Sequence, residues 1–311
     1  MAESALTPAQ QRVREGLLAW TAPRPPVDPD LAARLREQLS EATAEAAEAL
    51  PDGAELFLSK GKLDALSCDG RYVDLLEGEF TWSAPIVKGQ LAHHGIEIDF
   101  AGGRQRDPAE VIDVAWKRLA SSGSSAAAFL AGLDGAEADA LRGQARGLLT
   151  GFREQFPALP DKKVHPEDAL RVRLHGGRIV LSGRPDLRLG GPTSDVRRML
   201  LLDLKTGGRH SLRHLADMRF YALLATLKHD VAPFRVATYY LDEADWDHED
   251  VDEDVLEAAV RDIGAKAPRA VALEHDRPPE EEWRLSAAPH CRWCGRLPIC
   301  PAAAEAGYAP A

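Results

Sequence analysis

The 311-residue chain lacks any apolar run long enough to cross a bilayer, and its N-terminus lacks the basic start and apolar centre of a secretory signal peptide. Those absences predict a cytoplasmic protein with no membrane partner. The chain also lacks internal repeats and a Gly-x4-Gly-Lys-Ser/Thr loop, so nothing suggests a nucleotide-driven motor. Cysteine is scarce, with four residues, and in a reducing compartment these are expected as thiols whose spacing matters more than their number. What is present is ordinary for a globular chain: 45% apolar and 28% charged residues, with length for one large domain or two modest ones.

Basic residues are outnumbered, with 38 Lys and Arg against 49 Asp and Glu and a net charge of −11, which argues at first sight against a nucleic-acid partner. The distribution reverses that argument. Residues 141–219 hold 16 basic and 8 acidic side chains, whereas residues 241–282 hold 4 basic and 16 acidic ones. A basic segment inside an acidic chain is a candidate for phosphate contact, and Arg184, Arg188, Arg197, Arg198, Arg209 and Arg213 within it are the candidates.

The first 27 residues, ending in a proline-rich run, read as loosely ordered. Asp28-Pro29 predicts a helix start, with Leu31, Leu35 and Leu39 as the packing stripe. A short helix is expected to carry Leu63, Leu66 and Cys68. A longer one from near Val87 carries Gly89, His93 and Glu97 on one face. A loop or weak helix over 121–135 and a helix over 136–156 follow. Strands over 171–174 and 178–181 flank a Gly-Gly hairpin turn, and a third strand covers 199–205. A helix over 211–228, a strand over 234–241 and a helix over 255–263 complete the order helix, three strands, helix, strand.

Asp203 and Lys205 stand two apart in the apolar run Met199-Leu200-Leu201-Leu202-Asp203-Leu204-Lys205, hence on one face of a buried strand. Charges enter such a strand when they are paired or bind metal. With Asp186 of Gly-Arg-Pro-Asp expected on the preceding strand, two carboxylates and an ammonium can converge, which suits metal-assisted phosphodiester hydrolysis. A hard cation would take Asp186, Asp203 and the Leu204 carbonyl as ligands. His93 could complete the shell, and an imidazole favours Mn²⁺ over Mg²⁺. Lys205 could orient water or offset charge on the phosphate. The alternative for Asp203 and Lys205 is a salt bridge on an edge strand.

Gly-Arg-Pro-Asp followed by Leu-Asp-Leu-Lys-Thr-Gly resembles the PD-(D/E)XK nucleases, particularly their RecB-like branch, and Gly89-x3-His93-x3-Glu97 is similar to that branch's upstream helix. The resemblance implies an α/β fold with a restriction-endonuclease-like core, added helices and a C-terminal cysteine segment. It implies metal ligands at His93, Asp186 and Asp203, a catalytic lysine at Lys205, and supporting or DNA-contacting roles for Glu97, Arg184 and Tyr221. One departure is visible: the family often carries Gln-x3-Tyr on the following helix, and here the residues are Asp217-x3-Tyr221. Aspartate cannot donate hydrogen bonds as a glutamine amide does.

Cys291-x2-Cys294-x5-Cys300 with the distant Cys68 offers four soft ligands, for tetrahedral zinc or an iron–sulfur cluster, and a three-plus-one layout fits zinc poorly. The same layout is similar to the iron–sulfur nucleases of the RecB-like branch, the AddB nuclease domain and the CRISPR-associated exonucleases among them. The resemblance implies a 4Fe-4S cluster on Cys68, Cys291, Cys294 and Cys300. Trp293, between two of these cysteines, is expected to pack on the cluster, with base stacking as the alternative. The expected organisation is a partly helical extension over 1–55 and a stapled nuclease domain over 56–311. The expected activity is a Mg²⁺- or Mn²⁺-dependent DNA exonuclease acting on single strands or DNA ends, with partners in a repair or CRISPR complex. A catalytically inactive DNA-binding or assembly subunit is the rival.

Overall fold

A computed structural model describes residues 6–159 and 164–308 of the protein. The chain opens with α1 (Pro8–Arg12) and a π-helical turn over Val13–Leu17, then α2 (Leu31–Ala42) and α3 (Ala44–Ala49). β1 (Leu56–Leu58), α4 (Lys60–Ala65) and α5 (Asp69–Glu77) lead to α6 (Ala84–Ala101), α7 (Pro108–Ala120), α8 (Ser125–Ala131) and α9 (Gly135–Gln155). Five strands follow: β2 (Val164–Pro166), β3 (Leu170–Leu174), β4 (Ile179–Gly183), β5 (Leu187–Leu189) and β6 (Leu200–Lys205). After α10 (Ser211–His229) come β7 (Arg235–Tyr240), β8 (Asp245–Asp250), α11 (Glu253–His275), three 3-10 turns and α12 (Pro301–Glu305).

The strands form two sheets, ordered β1-β4-β3 and β2-β5-β6-β7-β8. Helices cover both faces of the larger one. Leu200, Leu202 and Leu204 of β6 enter a core shared with α6, α7 and α9. Leu201, one residue out of phase, enters a second core with α2, α10 and α11. A strand buried on both faces reads as a continuous apolar run, which is why Leu200–Leu204 stood out in the sequence. β6 and β7 run parallel, with Asp203 opposite Thr238 and Lys205 opposite Tyr240, and α10 is the crossover that parallel pairing requires. β6 is therefore central, and an edge-strand salt bridge is excluded for Asp203 and Lys205.

Several expectations need correction. Residues 1–5 lie outside the described residues, but the rest of the N-terminal segment is not loosely ordered. Val13, Leu17, Leu18 and Ala19 are buried, and the Arg235 guanidinium donates to the carbonyls of Gly16 and Leu17. The first stripe helix starts at Leu31 with Asp30 at its cap, because the Asp28 carboxylate closes a turn onto the Asp30 N–H. Cys68 is the residue preceding α5 rather than a member of a helix. α11 runs to His275, through Pro268. β2, β5 and β8 were not foreseen; β8 arises from Asp-Trp-Asp-His-Glu-Asp and pairs antiparallel with β7.

Candidate active site

The chain leaves the smaller sheet at Gly183 and joins the larger one at Leu187, and Asp186 sits in that crossing rather than on the expected strand, because Pro185 has no N–H to give to a ladder. Its Oδ2 accepts the Leu204 N–H at 2.6 Å, which fixes the carboxylate beside the end of β6. Its Oδ1 lies 3.3 Å from Nδ1 of His93, on α6. Two glycines permit these approaches. A Cβ on Gly89, one turn before His93, would stand 2.8 Å from the Thr206 hydroxyl, and one on Gly183 would stand 2.5 Å from the Tyr221 ring. The Tyr221 hydroxyl donates to the Arg184 carbonyl at 3.0 Å, so α10 holds the Gly183–Asp186 turn in place.

Asp203 is 3% exposed and meets two ammonium groups. Lys205 lies against its Oδ2. Lys60, at the first position of α4, donates to its Oδ1 at 2.9 Å, stands 3.7 Å from Asp217 and sits over the Tyr221 ring. Burial works to raise the Asp203 carboxyl, but Lys205 and then Lys60 outweigh it and hold the group well below the usual carboxylate range. Burial likewise disfavours charged Lys60, and the surrounding Asp203, Tyr221 and Asp217 more than compensate and raise it. Burial opposes the His93 imidazolium, yet the adjacent Asp186 raises it. Asp217 is pushed up by burial against the pull of Lys60.

Lys60 was missed because it is 143 residues from Asp203 in sequence. A signal existed: a lysine in the first helical turn opposes the helix dipole and so asks for a special partner. Lys60 also explains the departure at Asp217, whose carboxylate answers a lysine where a neutral amide would not be needed.

An open cleft of about 440 Å³ runs from this point, lined by Lys60, Lys205, Thr206, Arg213, Asp217 and Trp293 among others. The donor set suits a hard divalent cation. Asp203 Oδ2 is buried and among the described residues meets only the ammonium of Lys205. The ligand atoms of His93, Asp186 and Asp203 do not all come within 4.8 Å of one another, and both oxygens of Asp203 are occupied by lysine ammonium groups. Leu204 takes part through its N–H, which anchors Asp186. Glu97 points away from His93: it lies 3.5 Å from His94, and with Glu167 these two offer three ligand atoms within 4.8 Å of one another.

The six arginines divide. Arg188 is buried on Asp168 and the Gly190 carbonyl, Arg197 donates to the Val251 carbonyl, and Arg209 is paired with Asp245 and Asp247. These three are structural, a correction to the expected phosphate contacts. Arg184, Arg198 and Arg213 stay exposed, Arg184 with Glu167 at 3.2 Å.

All four cysteines are free thiols and line one cavity of about 210 Å³. The Ser286 and Ala288 N–H groups donate to the sulfurs of Cys68 and Cys291 at 3.5 and 3.4 Å. No three of the sulfurs come within 4.8 Å of one another, whereas tetrahedral zinc with Zn–S near 2.3 Å brings them to about 3.8 Å. Next to Cys68, buried Asp69 receives the Arg269 guanidinium and the Arg284 N–H, and Asp74 receives the Gly295 N–H, tying α5 to the cysteine segment. Trp283 lines the cysteine cavity; Trp293 instead lines the cleft and is 76% exposed, contrary to its expected packing.

Among solved structures the chain is similar to a candidate exonuclease from Eubacterium rectale, at 14% identity and a TM-score of 0.42, over 82% of this chain and 90% of that one. It is also similar to the protein SSO0001, at 14% identity and a TM-score of 0.33, over 86% and 94% of the two chains. No curated protein matches it significantly. The sequence model of the PD-(D/E)XK nuclease superfamily matches residues 65–301, which include His93, Asp186, Asp203 and Lys205 and all four cysteines. The chain thus belongs to the PD-(D/E)XK nuclease superfamily.

Proposed function

We propose that the protein is a divalent-metal-dependent deoxyribonuclease of the RecB-like branch, acting as an exonuclease. The observation that carries this reading is the buried Asp203 carboxylate held between Lys60 and Lys205, two lysines that line an open cleft, with the His93–Asp186 pair tied to the same strand end through the Leu204 N–H. His93, Asp186 and Asp203 would hold Mg²⁺ or Mn²⁺, with the Leu204 carbonyl as a further ligand. Such an ion supplies Lewis-acid activation of the phosphate and of the attacking water. The Leu204 N–H and His93 fix Asp186, and Tyr221 fixes the turn that carries it. Lys205 places an ammonium where charge builds on the phosphoryl oxygens and orients the water. The water oxygen bonds to phosphorus as the bond to the departing sugar oxygen breaks.

Cys68, Cys291, Cys294 and Cys300 would hold a 4Fe-4S cluster that staples α5 to the C-terminal segment. The sulfur spacing favours a cluster over zinc, and visible absorption with iron and zinc content of anaerobically purified protein decides between them. Residues 56–311 would form the nuclease domain and 1–55 an extension to it. The protein would work in the cytoplasm, in repair, recombination or CRISPR-type defence. A second reading, an inactive DNA-binding or assembly subunit, is favoured by one observation: both Asp203 oxygens are already engaged by lysines, and the ligand atoms of His93, Asp186 and Asp203 do not gather within 4.8 Å. End-labelled DNA incubated with Mn²⁺, Mg²⁺ or EDTA separates the two. Cleavage that needs metal and is lost in Asp203→Ala supports the nuclease; binding without cleavage in the wild type supports the subunit.

A further inference from the structure

Trp293 ends a short 3-10 turn, Pro289–Trp293, whose backbone is firmly held. Cys291 is buried, the Cys294 N–H donates to the Cys291 carbonyl, and the Gly295 N–H donates to Asp74. Yet the indole is 76% exposed and makes no ring contact or hydrogen bond among the described residues. It stands on the cleft that also holds Lys60, Lys205 and Arg213. A fixed, bare indole is an affinity reserve, because covering an aromatic side chain removes 150–250 Å² or so from water. The ligand that completes it must bring a flat π face together with negative charge for the neighbouring cations.

A nucleotide unit has both. In a duplex every internal base face is covered by its stacked neighbours and only the outer face of each terminal pair is bare, whereas any base of a single strand can turn onto an indole. We propose that Trp293 is the base-stacking platform of the cleft and makes the site select unpaired DNA, with the phosphate beyond the stacked base directed toward Arg213 and Lys205. This rests on the nuclease reading for the identity of the polyanion. It also gives the cysteine segment a second consequence, since the turn between Cys291 and Cys294 sets where the indole stands.

The test is fluorescence anisotropy with a labelled single-stranded oligonucleotide and a blunt duplex of the same length. The full chain is used, with Ca²⁺ replacing Mg²⁺ and the DNA checked to be intact afterwards. Trp293→Ala should weaken single-strand binding about 5- to 100-fold, the range for losing one base–aromatic stack, and leave duplex binding within about twofold. Trp293→Phe should restore most of the loss. Unchanged single-strand binding in Trp293→Ala, an equal loss for both DNAs, or no DNA binding by the wild type would each overturn the proposal. If the wild type binds single strands through Trp293 but never cleaves with Mn²⁺, the platform stands and the nuclease reading falls.

Discussion

Lys60→Met removes one of the two ammonium groups on Asp203, and its contact over the Tyr221 ring, while keeping a side chain of similar length and volume. At the 2.9 Å separation the gross attraction is about 6 kcal/mol with an effective dielectric near 20. Desolvation of both groups offsets much of this. Stripping a buried charge of its partner altogether costs about 3–5 kcal/mol, but Lys205 remains against Asp203, so the expected loss is nearer 2 kcal/mol. Urea unfolding at neutral pH measures it. The decisive comparison is the cycle with Asp203→Asn. In that background Lys60 and Lys205 face each other with no carboxylate between them, so Lys60→Met should become neutral or stabilising. The pH dependence has a definite sign. Asp203 has a depressed folded pKa, so its stabilisation is complete above the ordinary carboxylate range and is lost as pH falls through that depressed value. Lys60→Met moves the loss to higher pH. A variant that costs the same in both backgrounds would show that the pair contributes nothing, and Lys60 would then be a bystander.

Two further outcomes are expected. Cys291→Ser should release the tie across the 223 residues from Cys68 (291 minus 68), lowering stability by at most about 5 kcal/mol on chain-entropy reasoning. The loss should be smaller than that bound, because Asp69 and Asp74 already anchor the segment. A thermal melt beside an iron assay checks this, and a metal-free variant with an unchanged melt would remove the staple. Buried His214, against the Tyr240 hydroxyl, is pushed down to about 4 by burial and then by Lys205 and Arg213. The unfolded chain therefore binds a proton between about pH 6.5 and 4 that the folded one refuses, so stability falls across that window on acidification, by up to about 3 kcal/mol. His214→Gln should flatten the slope there; an unchanged slope would assign it to other groups.

The parts of the site that were legible in sequence are those in which chemistry interrupts a local pattern. Asp203 and Lys205 break an apolar strand at period two, and Asp186 follows a glycine and a proline at a strand end, so each could be read within a few residues. Lys60 could not, because its partner is set by β1 packing beside β4 and by α10 crossing over β6. β8 was hidden for a different reason. Its one large apolar side chain, Trp246, stacks on Tyr239 and under Arg12, and its acids are satisfied by arginines, so no apolar alternation marks it. The N-terminal turn depends on Arg235 capping carbonyls 218 and 219 positions away in sequence, which composition cannot reveal.

The same pairings resolve the conflict between a net charge of −11 and a nucleic-acid substrate. Much of the acidic block is not a free surface. Asp245, Asp247, Glu249 and Asp250 of β8 neutralise Arg12, Arg209, Arg219 and Arg235, so acidic and basic segments that look opposed in sequence cancel at one sheet edge. Charged side chains along such an edge also discourage pairing with another chain. What faces the substrate is then local. The cleft is lined by Asp64 and Asp217 and by Lys60, Lys205 and Arg213, two carboxylates against three cations, while Asp186 and Asp203 are paired with His93 and with the two lysines. A polyanion meets there only a small local excess of positive charge. On the nuclease reading, a divalent cation on Asp186 and Asp203 would strengthen that attraction, so the charge that draws in the phosphate would also activate it, and an acidic chain would need no broad basic face to hold DNA.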